Sequence, residues 1–345
     1  MTDVIVTNFN RNFTGVSATA AGVLRAQAQG LDVALCGYPL PGCPAPITLR
    51  EARAASRTPS ERFTIWHVRR NTEMRAALWA RDVLRLPIKI VFTSAAQRRH
   101  SAFPRWLISR MDAVIATSVA AASFVPHIRA VVPHGVDTER FYPATNRAEA
   151  WLETEYPGRF GIATIGRIRP EKGTDRFVEA MLHLLPMQPE ATALVIGRAG
   201  SADTAFLQGL KDQIVMAQLQ DRILFPGEIA PEALPALMRG LGAVVQLPRY
   251  EGYGMAPLEG MASGVPFVAS DAGAYRQFSG QGRAGLIVDL DLSEGVAETL
   301  SALMDDPARH AKMARAARAD AETSFSVEAE ADAINDVYDA LWSEP

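Results

Sequence analysis

Short apolar runs alternate with helix-like stretches along all 345 residues, and this alternation restricts the fold more than any other feature. Twelve strand-like runs are predicted, at 4–7, 33–36, 64–66, 88–92, 113–116, 130–132, 161–165, 193–196, 223–225, 243–247, 267–269 and 286–288. Helices are predicted at 17–29, 71–84, 105–111, 174–185, 203–218, 231–239, 257–263 and 293–304, with two more over 307–342. Strands separated by helices favour parallel sheets covered on both faces. The pattern therefore predicts an α/β chain with two doubly wound domains of about six strands each.

The chain length agrees with this division, because it fits two domains of about 150–200 residues. The turn-rich segment 133–143, PHGVDTERFYP, precedes the second set of strands. We therefore predict an N-terminal domain over 1–145 and a C-terminal domain over 146–325. A last helix over 326–345 is expected to pack back on the N-terminal domain.

Composition excludes several classes of protein. The two cysteines, Cys36 and Cys43, have no metal-ligand spacing and suggest no disulfide framework. No apolar run approaches the about 20 residues of a membrane span. The start MTDVIVTNFN enters a strand without the features of a signal peptide, so we expect a cytoplasmic location.

The charge is distributed unevenly between the two halves. Residues 1–145 hold 18 Lys and Arg against 9 Asp and Glu, whereas the remainder holds 17 against 29. Most of the excess lies in 50–110, with 14 basic and 4 acidic residues. A basic half beside an acidic half indicates an anionic partner on one side.

Residues 249–271, RYEGYGMAPLEGMASGVPFVASD, carry two carboxylates eight positions apart, Glu251 and Glu259. An apolar run precedes them, and a helix-like run begins near Pro257. The order is thus strand, glycine-containing loop, helix, which directs backbone N–H groups and a helix N-terminus at one point. We therefore predict a phosphate site at this point.

A second basic turn follows the strand-like run 161–165, in the segment 166–173, GRIRPEKG. Arg167 and Lys172 could converge on one diphosphate, Arg as a bidentate fork and Lys as a point charge. A solvated basic turn is the alternative. Neither a G-x-G-x-x-G after the first strand nor a G-x-x-x-x-G-K-[ST] motif is present, so phosphates would be bound in another way.

These two segments resemble glycosyltransferase family 4. Members commonly read E-G-F/Y-G-x-x-x-x-E followed by a-x-G-x-P-v-v-a-s, and they carry G-R-x-x-x-x-K-G at the start of the second domain. The resemblance covers nearly the whole chain. It implies retaining, nucleotide-sugar-dependent enzymes with two facing Rossmann-like domains and a cleft between them, the GT-B architecture. It also implies no metal and no cofactor.

The resemblance also implies roles for individual residues. Arg167 and Lys172 would bind the donor diphosphate and stabilise the leaving nucleotide. Glu259 would hydrogen-bond the ribose, and Glu251 would contact the donor sugar. The sugar and phosphates would also meet the backbone of Gly254, Met255, Ala256 and Pro257. Gly15, in the loop 8–16 after the first strand, would approach the donor phosphates. His67, at the end of the FTIWH segment, would lie near the anomeric carbon. His134, in a segment resembling the family's P-N-G-V-D hinge, is interpreted as local structure.

A narrower resemblance connects the first half to lipopolysaccharide core mannosyltransferases of Gram-negative bacteria. It rests on IWHVRRNTEM, on FTSAAQRRH at 92–100 and on RWLISRMDAVIATS at 105–118. It implies GDP-mannose as the donor and an anionic, lipid-linked core oligosaccharide as the acceptor, with the enzyme peripheral on the cytoplasmic face of the inner membrane. The basic residues suited to such an acceptor are Arg69, Arg70, Arg98, Arg99 and Arg105. Interfacial apolar contacts could come from Trp79, Phe103, Trp106 and Leu107.

Three alternatives stay open from the sequence. A related transferase could use UDP-glucose or UDP-galactose. The chain could be a non-catalytic nucleotide-sugar-binding protein, although Glu251, Glu259, Arg167 and Lys172 are all present. The basic half could bind nucleic acid, but the interleaved aromatic and basic residues of RNA-binding modules are missing, so no nucleic-acid partner is expected.

Overall fold

The computed structural model describes residues 2–12, 14–289 and 293–344. The positions of the predictions that lie outside these ranges include Met1 at the start of the predicted N-terminal domain, Phe13 in the predicted 8–16 loop, and Pro345 at the end of the predicted last helix. Contacts divide the chain into two units, with divisions between Gly135 and Val136 and between Ser324 and Phe325. We call them unit 1, which ends with the C-terminal segment, and unit 2, which runs from Val136 to Ser324.

The first division lies before the predicted boundary at 145 because the intervening segment is bonded into unit 2. Phe141 is buried, and Arg318 Nη1 donates to the carbonyl oxygens of Thr138 and Phe141 at 3.1 and 2.8 Å. The turn-rich segment is therefore part of unit 2 and is not a free linker.

Unit 1 is built on one six-stranded parallel sheet with the order β2-β1-β3-β4-β5-β6. Its strands are β1 (Val4–Asn8), β2 (Val33–Gly37), β3 (Thr64–Val68), β4 (Ile88–Ser94), β5 (Ala113–Ala116) and β6 (Ile128–Val131). Its helices are α1 (Gly15–Gln27), α2 (Leu49–Ala55), α3 (Asn71–Leu78), α4 (Ala102–Ile108), α5 (Val119–Ala122) and, after unit 2, α14 (Val327–Ser343).

Neighbouring residues of one strand enter different cores in unit 1. Val4 and Val6 of β1 join a cluster that includes α14, whereas Ile5 joins a cluster on the other side with α3 and α4. Both faces of the sheet are thus covered, which explains why β1 reads as a continuous apolar run. Tyr338 and Leu341 of α14 are fully buried in the first cluster.

Unit 2 holds the second six-stranded parallel sheet, with the order β12-β11-β10-β7-β8-β9. Its strands are β7 (Phe160–Ile165), β8 (Ala191–Ile196), β9 (Ile223–Gly227), β10 (Leu241–Gln246), β11 (Phe267–Ser270) and β12 (Gly285–Val288). Its helices are α6 (Arg147–Leu152), α7 (Thr174–Leu184), α8 (Thr204–Met216), α9 (Leu234–Gly240), α10 (Met255–Ala262), α11 (Tyr275–Ser279), α12 (Ser293–Met304) and α13 (Pro307–Ser324).

The predicted α/β class with two doubly wound Rossmann-like domains is confirmed, since each unit has one parallel sheet flanked by helices. The predicted helix over 71–84 is wrong in its second half. Helix α3 ends at Leu78, and Trp79–Val83 form a π-helical turn, in which Leu84 N–H donates to Trp79 O at 3.1 Å. Every helix among the described residues is too short or too polar to traverse a lipid bilayer.

Candidate functional site

The sheet of unit 2 reverses its strand order between β7 and β10, which lie side by side at its centre. Strands β8 and β9 lie on the side of β7, and β11 and β12 lie on the side of β10. The loops that leave the carboxyl ends of β7 and β10 therefore run towards opposite edges of the sheet. Ligands of doubly wound folds bind at such a switch point. The two segments singled out in the sequence, 166–173 and 249–254, are the loops that leave β7 and β10.

Arg249 fastens these two loops together. Its backbone N–H donates to Glu171 O at 2.9 Å, and its Nη1 donates to Pro170 O at 2.6 Å. The guanidinium also forms a bidentate pair with Asp175 of α7, at 2.8 and 2.7 Å. The relative position of the two loops is therefore fixed by the protein itself.

Gly173 allows the loops to approach this closely. Its φ is +68°, and a Cβ at this position would lie 1.8 Å from Leu247 O. A side chain would thus be both strained and in collision with backbone. The last glycine of GRIRPEKG therefore has a packing function.

Lys172 and Glu251 meet at the junction of the two loops. Lys172 Nζ lies 2.6 Å from Glu251 Oε2, and both side chains are largely shielded, with 23% and 13% exposed. Glu251 also accepts from the N–H of Gly252 at 2.7 Å and from the Tyr275 hydroxyl at 3.4 Å. Burial, and then the Glu251 carboxylate, raise the pKa of Tyr275 well above its ordinary value, so this hydroxyl stays protonated.

Arg167 lies on the same loop but is exposed, and it makes no hydrogen bond or ion pair with any residue that the structure describes. Its guanidinium is therefore available to a ligand. The structure brings Lys172 and Glu251 into contact and leaves Arg167 beside them on the loop.

Helix α10 begins directly after Glu251 and Tyr253, with Gly254 as its N-cap in a left-handed conformation (φ 90°, ψ 83°). A Cβ on Gly254 would lie 2.2 Å from the ring of Tyr275. No side chain caps this helix, and its first turn carries no acidic residue. The backbone amides of Met255 and Ala256 are therefore free to receive an anion at the positive end of the helix dipole.

Pro257 is buried at the third position of α10, where its missing N–H costs no helical hydrogen bond. Glu259 follows two residues later and is half-buried. Its carboxylate makes no hydrogen bond with the described residues. Burial raises the pKa of Glu259 to about 7, and the charge of Arg140 opposes part of this shift.

In unit 1 the corresponding reversal of strand order lies between β1 and β3. Gly15 begins α1 after β1, is exposed, and has nothing within 4 Å of a Cβ built on it. No packing in the protein itself requires glycine here. The predicted approach of a donor phosphate to Gly15 stays a prediction.

Arg70 was predicted to bind acceptor, but its guanidinium is used inside unit 1. Nη1 donates to Asn8 Oδ1 and pairs with Glu73, both at 3.1 Å. Nη2 donates to the hydroxyls of Thr14 and Ser17 at 3.2 and 3.0 Å. Arg70 thus holds the β1–α1 loop in place, and this arrangement does not support contact with an acceptor.

His67 is also placed differently from the prediction of contact with the donor sugar. It is fully buried, with Nδ1 2.5 Å from the Tyr338 hydroxyl and Nε2 2.7 Å from the Thr93 hydroxyl. Burial, and then the charge of Arg69, lower the pKa of His67 well below its ordinary value, so the ring is neutral. Both ring nitrogens are occupied, which supports a role in fixing α14 to the sheet.

The remaining predicted arginines differ in accessibility. Arg69 is partly buried, and its Nη1 has no partner among the described residues; burial lowers its pKa. Arg98 and Arg99 are exposed in the loop before α4, and Arg105 is exposed on α4.

His134 Nδ1 pairs with Glu330 at 2.8 Å inside unit 1, as its interpretation as local structure predicts.

Sequence reasoning missed Glu73, the buried centre of the β1–β3 switch point. Its carboxylate accepts from the N–H groups of Phe9, Arg69 and Arg70 at 3.1, 2.8 and 3.1 Å, and from Thr7 Oγ1 at 3.2 Å. Its position three residues after the helix N-cap was the available signal.

Among the described residues, no three His, Cys, Asp or Glu side chains gather as metal ligands.

Comparisons with known proteins agree with this geometry. The family model "Glycosyl transferases group 1" matches residues 149–320. The chain is 40% identical to the lipopolysaccharide core biosynthesis mannosyltransferase LpcC of Rhizobium leguminosarum bv. viciae, covering 98% of this chain and 96% of LpcC. It is also 40% identical to the lipopolysaccharide core biosynthesis mannosyltransferase LpsB of Rhizobium meliloti, covering 98% of this chain and 97% of LpsB.

Solved structures give the same picture at the level of the fold. Anabaena HepE in complex with UDP superposes with a TM-score of 0.82 at 16% identity, covering 99% of this chain and all of HepE. The C-terminal domain of a Francisella tularensis group 1 glycosyl transferase, LpcC, has a TM-score of 0.54 at 36% identity. It covers 56% of this chain and 99% of that domain.

Proposed function

Because the chain belongs to the group 1 glycosyltransferases and is itself a glycosyltransferase, we propose that it moves mannose from GDP-mannose to an anionic, lipid-linked lipopolysaccharide core oligosaccharide. The proposal includes retention of configuration at the anomeric carbon. It also includes a peripheral position on the cytoplasmic face of the inner membrane, where such an acceptor would be met.

The contact between Lys172 and Glu251 at the β7–β10 switch point is the observation that carries the proposal. A cation and an anion held together there can serve two parts of one ligand. Lys172 and the exposed Arg167 face the diphosphate, while Glu251 accepts hydrogen bonds from hydroxyls of the donor sugar. The free amides of Met255 and Ala256 supply further donors to the phosphates.

The proposed reaction breaks the bond between C1 of mannose and the β-phosphate oxygen and forms a bond between C1 and the acceptor oxygen. Negative charge grows on the leaving diphosphate as the first bond breaks, and Lys172 and Arg167 stabilise that charge where it develops. The acceptor proton moves to the departing phosphate oxygen on the same face of the sugar. No dedicated general base is then required, and we propose that no metal is needed.

Glu259 suits the nucleoside end of the donor. Its carboxylate is half-buried and has no hydrogen-bond partner among the described residues, and it is largely desolvated. Two ribose hydroxyls would satisfy it as a bidentate acceptor. Of the basic residues in unit 1, exposed Arg98, Arg99 and Arg105 are the ones we assign to the anionic acceptor.

Thermal stabilisation by a panel of nucleotide sugars tests the donor. A ligand present at 100 times its dissociation constant should add about 2.7 kcal/mol to the free energy of unfolding. We expect GDP-mannose to stabilise the protein and UDP-glucose and UDP-galactose to have little effect. Stabilisation by a UDP-sugar alone would replace the proposal with the related UDP-hexose transferase.

A non-catalytic sugar-nucleotide binder is separated from an enzyme by turnover. Release of GDP from GDP-mannose, dependent on added core acceptor, is expected of the transferase. Binding of GDP-mannose without such release would favour the non-catalytic alternative.

A further inference from the structure

An open groove of about 660 Å³ lies on unit 1. Helices α2, α3 and α4 and the π-helical turn after α3 line it. The side chains that define this surface, here called the aromatic groove, are Arg53, Arg75, Trp79, Val83, Phe103 and Trp106. The proposed donor site and the arginines assigned to the acceptor do not include them, and Trp79, Phe103 and Trp106 are among the residues that the sequence predicts to make interfacial apolar contacts.

Large apolar side chains are gathered here and strongly exposed. Trp79 is 42% exposed, Val83 61%, Phe103 53% and Trp106 55%. Single exposed hydrophobic residues are ordinary, but a contiguous group marks an interaction surface. The rings of Phe103 and Trp106 stack, with centroids 6.2 Å apart and planes inclined by 19°, so they form one pre-arranged apolar face.

The π-helical turn contributes to this exposure. A π turn adds one residue to the helical repeat, and such turns occur frequently at functional sites. Trp79 begins the turn and Val83 ends it. Leu84, directly after it, is 38% exposed. A continuous α-helix over the same residues would have placed this apolar sequence in a different orientation.

The charge around the aromatic groove is positive. The Arg53 guanidinium lies 4.3 Å from the Trp79 ring centroid, and Arg75 is exposed on α3. Asp82 is the acidic residue of the lining, and it already pairs with Arg81 at 2.8 Å and Arg110 at 3.2 Å. Residues 50–110, which contain the whole groove, hold 14 basic and 4 acidic residues.

We propose that the aromatic groove is the surface by which this enzyme docks on a bilayer containing anionic phospholipid. Trp and Phe side chains enter the boundary between headgroups and acyl chains, while Arg side chains meet the phosphates. A second copy of the chain is the less suitable occupant, because a two-fold contact would bring the same positively charged surface of each copy together. The inference rests on the proposed function in so far as the lipid-linked acceptor explains why the enzyme would dock.

Co-sedimentation with vesicles tests the proposal on the full chain. Vesicles of phosphatidylcholine with phosphatidylglycerol are compared with pure phosphatidylcholine. We expect wild type to sediment only with the anionic vesicles, and less so at high salt. The variant Trp79→Ser/Trp106→Ser should lose at least about tenfold in partitioning. The matched control is Val119→Ser, which removes another exposed apolar side chain of unit 1, 76% exposed, and should sediment like wild type.

Quenching by brominated phospholipid locates the contact independently. Of the other three tryptophans, Trp66 and Trp151 are fully buried and Trp342 is partly buried against the core of unit 1, so quenching of wild type should come chiefly from Trp79 and Trp106. The variant Trp79→Phe/Trp106→Phe keeps the aromatic surface. It should therefore still sediment but should lose most of the quenching.

Three results would overturn the proposal. The first is equal sedimentation of wild type and the double serine variant. The second is vesicle binding by wild type that does not depend on anionic lipid. The third is a wild-type dimer in solution that is absent from the double serine variant. Stabilisation by GDP-mannose is measured on the same proteins and should be equal in all of them, which also verifies folding. Vesicle binding without any response to nucleotide sugars would refute the proposed function and leave the docking surface standing.

Discussion

Glu259 shows how one buried carboxylate can connect donor binding to pH. Its pKa, about 7 in the folded protein, lies above its ordinary value because the charged form is desolvated. The stability that the neutral form contributes is therefore present below the ordinary pKa and is lost as pH rises towards 7. In the proposed donor complex, ribose hydroxyls donate to the ionised form, so binding of the donor should favour loss of the proton.

We therefore expect the affinity for GDP-mannose to rise as pH increases from about 6 to 8, with proton release near pH 7. Calorimetry in buffers of different ionisation enthalpy measures this release. GDP-mannose is preferable to GDP, because both of its phosphates are esterified and do not titrate in this range. Glu259→Gln should weaken binding by about 1–3 kcal/mol and abolish the proton release.

The control for Glu259 is Glu251→Gln, which should lower turnover more than affinity because its proposed partner is the reacting sugar. Its proton release on binding should persist. A wild-type affinity that does not change with pH, or a Glu259→Gln variant that retains the proton release, would refute the assignment of Glu259 to the ribose.

Removal of either proposed phosphate cation should reduce turnover by about 10²–10³, as for other preorganised charge donors. Arg167→Ala should do so without a change in thermal stability, because Arg167 is exposed and makes no bonds within the described part of the chain. Lys172→Ala also leaves Glu251 without its cation. Steady-state kinetics with saturating acceptor provide the measurement.

Arg169→Ala serves as the matched control for this pair, since Arg169 lies on the same loop and its ionic partner among the described residues is Glu171, at 3.7 Å. It should remain within a few-fold of wild type. Equal losses in Arg169→Ala and Arg167→Ala would show that the loop acts only through its overall charge.

Motifs in the sequence single out Lys172 and Glu251, which the structure brings into contact, but they do not reveal the partners of Arg70 and His67, for a physical reason. Lys172 and Glu251 lie in short glycine-containing segments whose spacing is set by loop geometry, so a motif identifies them. Arg70 and His67 lie in equally suggestive segments, but their roles depend on Glu73, Ser17 and Tyr338, which come from distant parts of the chain. No local pattern reports such partners.

At the scale of elements, the two sheets organise their switch points in different ways. In unit 2 the loops after β7 and β10 are joined by Arg249 and leave charged side chains open to a ligand. In unit 1 the loops after β1 and β3 are joined by the buried Glu73, which receives their N–H groups. The arrangement in unit 2 is suited to binding a charged ligand, and the arrangement in unit 1 is suited to holding the loops in one conformation.

We expect Glu73→Gln to destabilise unit 1 by about 3–5 kcal/mol, because it leaves Arg70 without its buried counter-charge and turns an amide NH2 towards backbone N–H groups. Denaturant titration measures the loss, and hydrogen exchange should increase in the loop after β1. Glu51→Gln is the matched control, since Glu51 also closes a capping box but is exposed. Similar effects of both substitutions would mean that only helix capping is lost.

All twelve strands could be predicted because they are short apolar runs, and most are nearly continuous, as expected of parallel strands buried on both faces. The π turn after α3 could not, because its residues suit an α-helix equally well by local preference. The short helices α2, α5, α6 and α11 were also missed. They are too brief for a helical period to emerge from the sequence.

At the scale of the whole molecule, the chain leaves unit 1 after Gly135 and returns at Phe325. The two passages touch, since a Cβ on Gly135 would lie 2.2 Å from Ser326 O. Glu330 of α14 secures the place by accepting from Gly135 N–H at 2.7 Å and pairing with His134. Unit 2 is thus an insertion within unit 1.

Deletion of the segment after Ser324 should unfold unit 1 and leave unit 2 folded. Ile334, Val337, Tyr338 and Leu341 are buried in its core, and each is worth about 1.5–3 kcal/mol on burial. Their sum is comparable to the stability of a whole domain, about 5–15 kcal/mol. Limited proteolysis should degrade unit 1, while calorimetry should still detect nucleotide binding. Deletion of only Glu344 and Pro345 is the control, and proteolytic resistance of unit 1 in the long deletion would contradict the expectation.

The late return of α14 also determines the order in which a ribosome can complete this protein. Nearly the whole of unit 1 emerges first, yet it lacks the helix that covers α1 until α14 has been translated. Unit 2 is complete earlier, because all of its segments precede α14. The nascent chain therefore finishes its second unit before its first, and the apolar surface that α14 later covers stays exposed while unit 2 is synthesised.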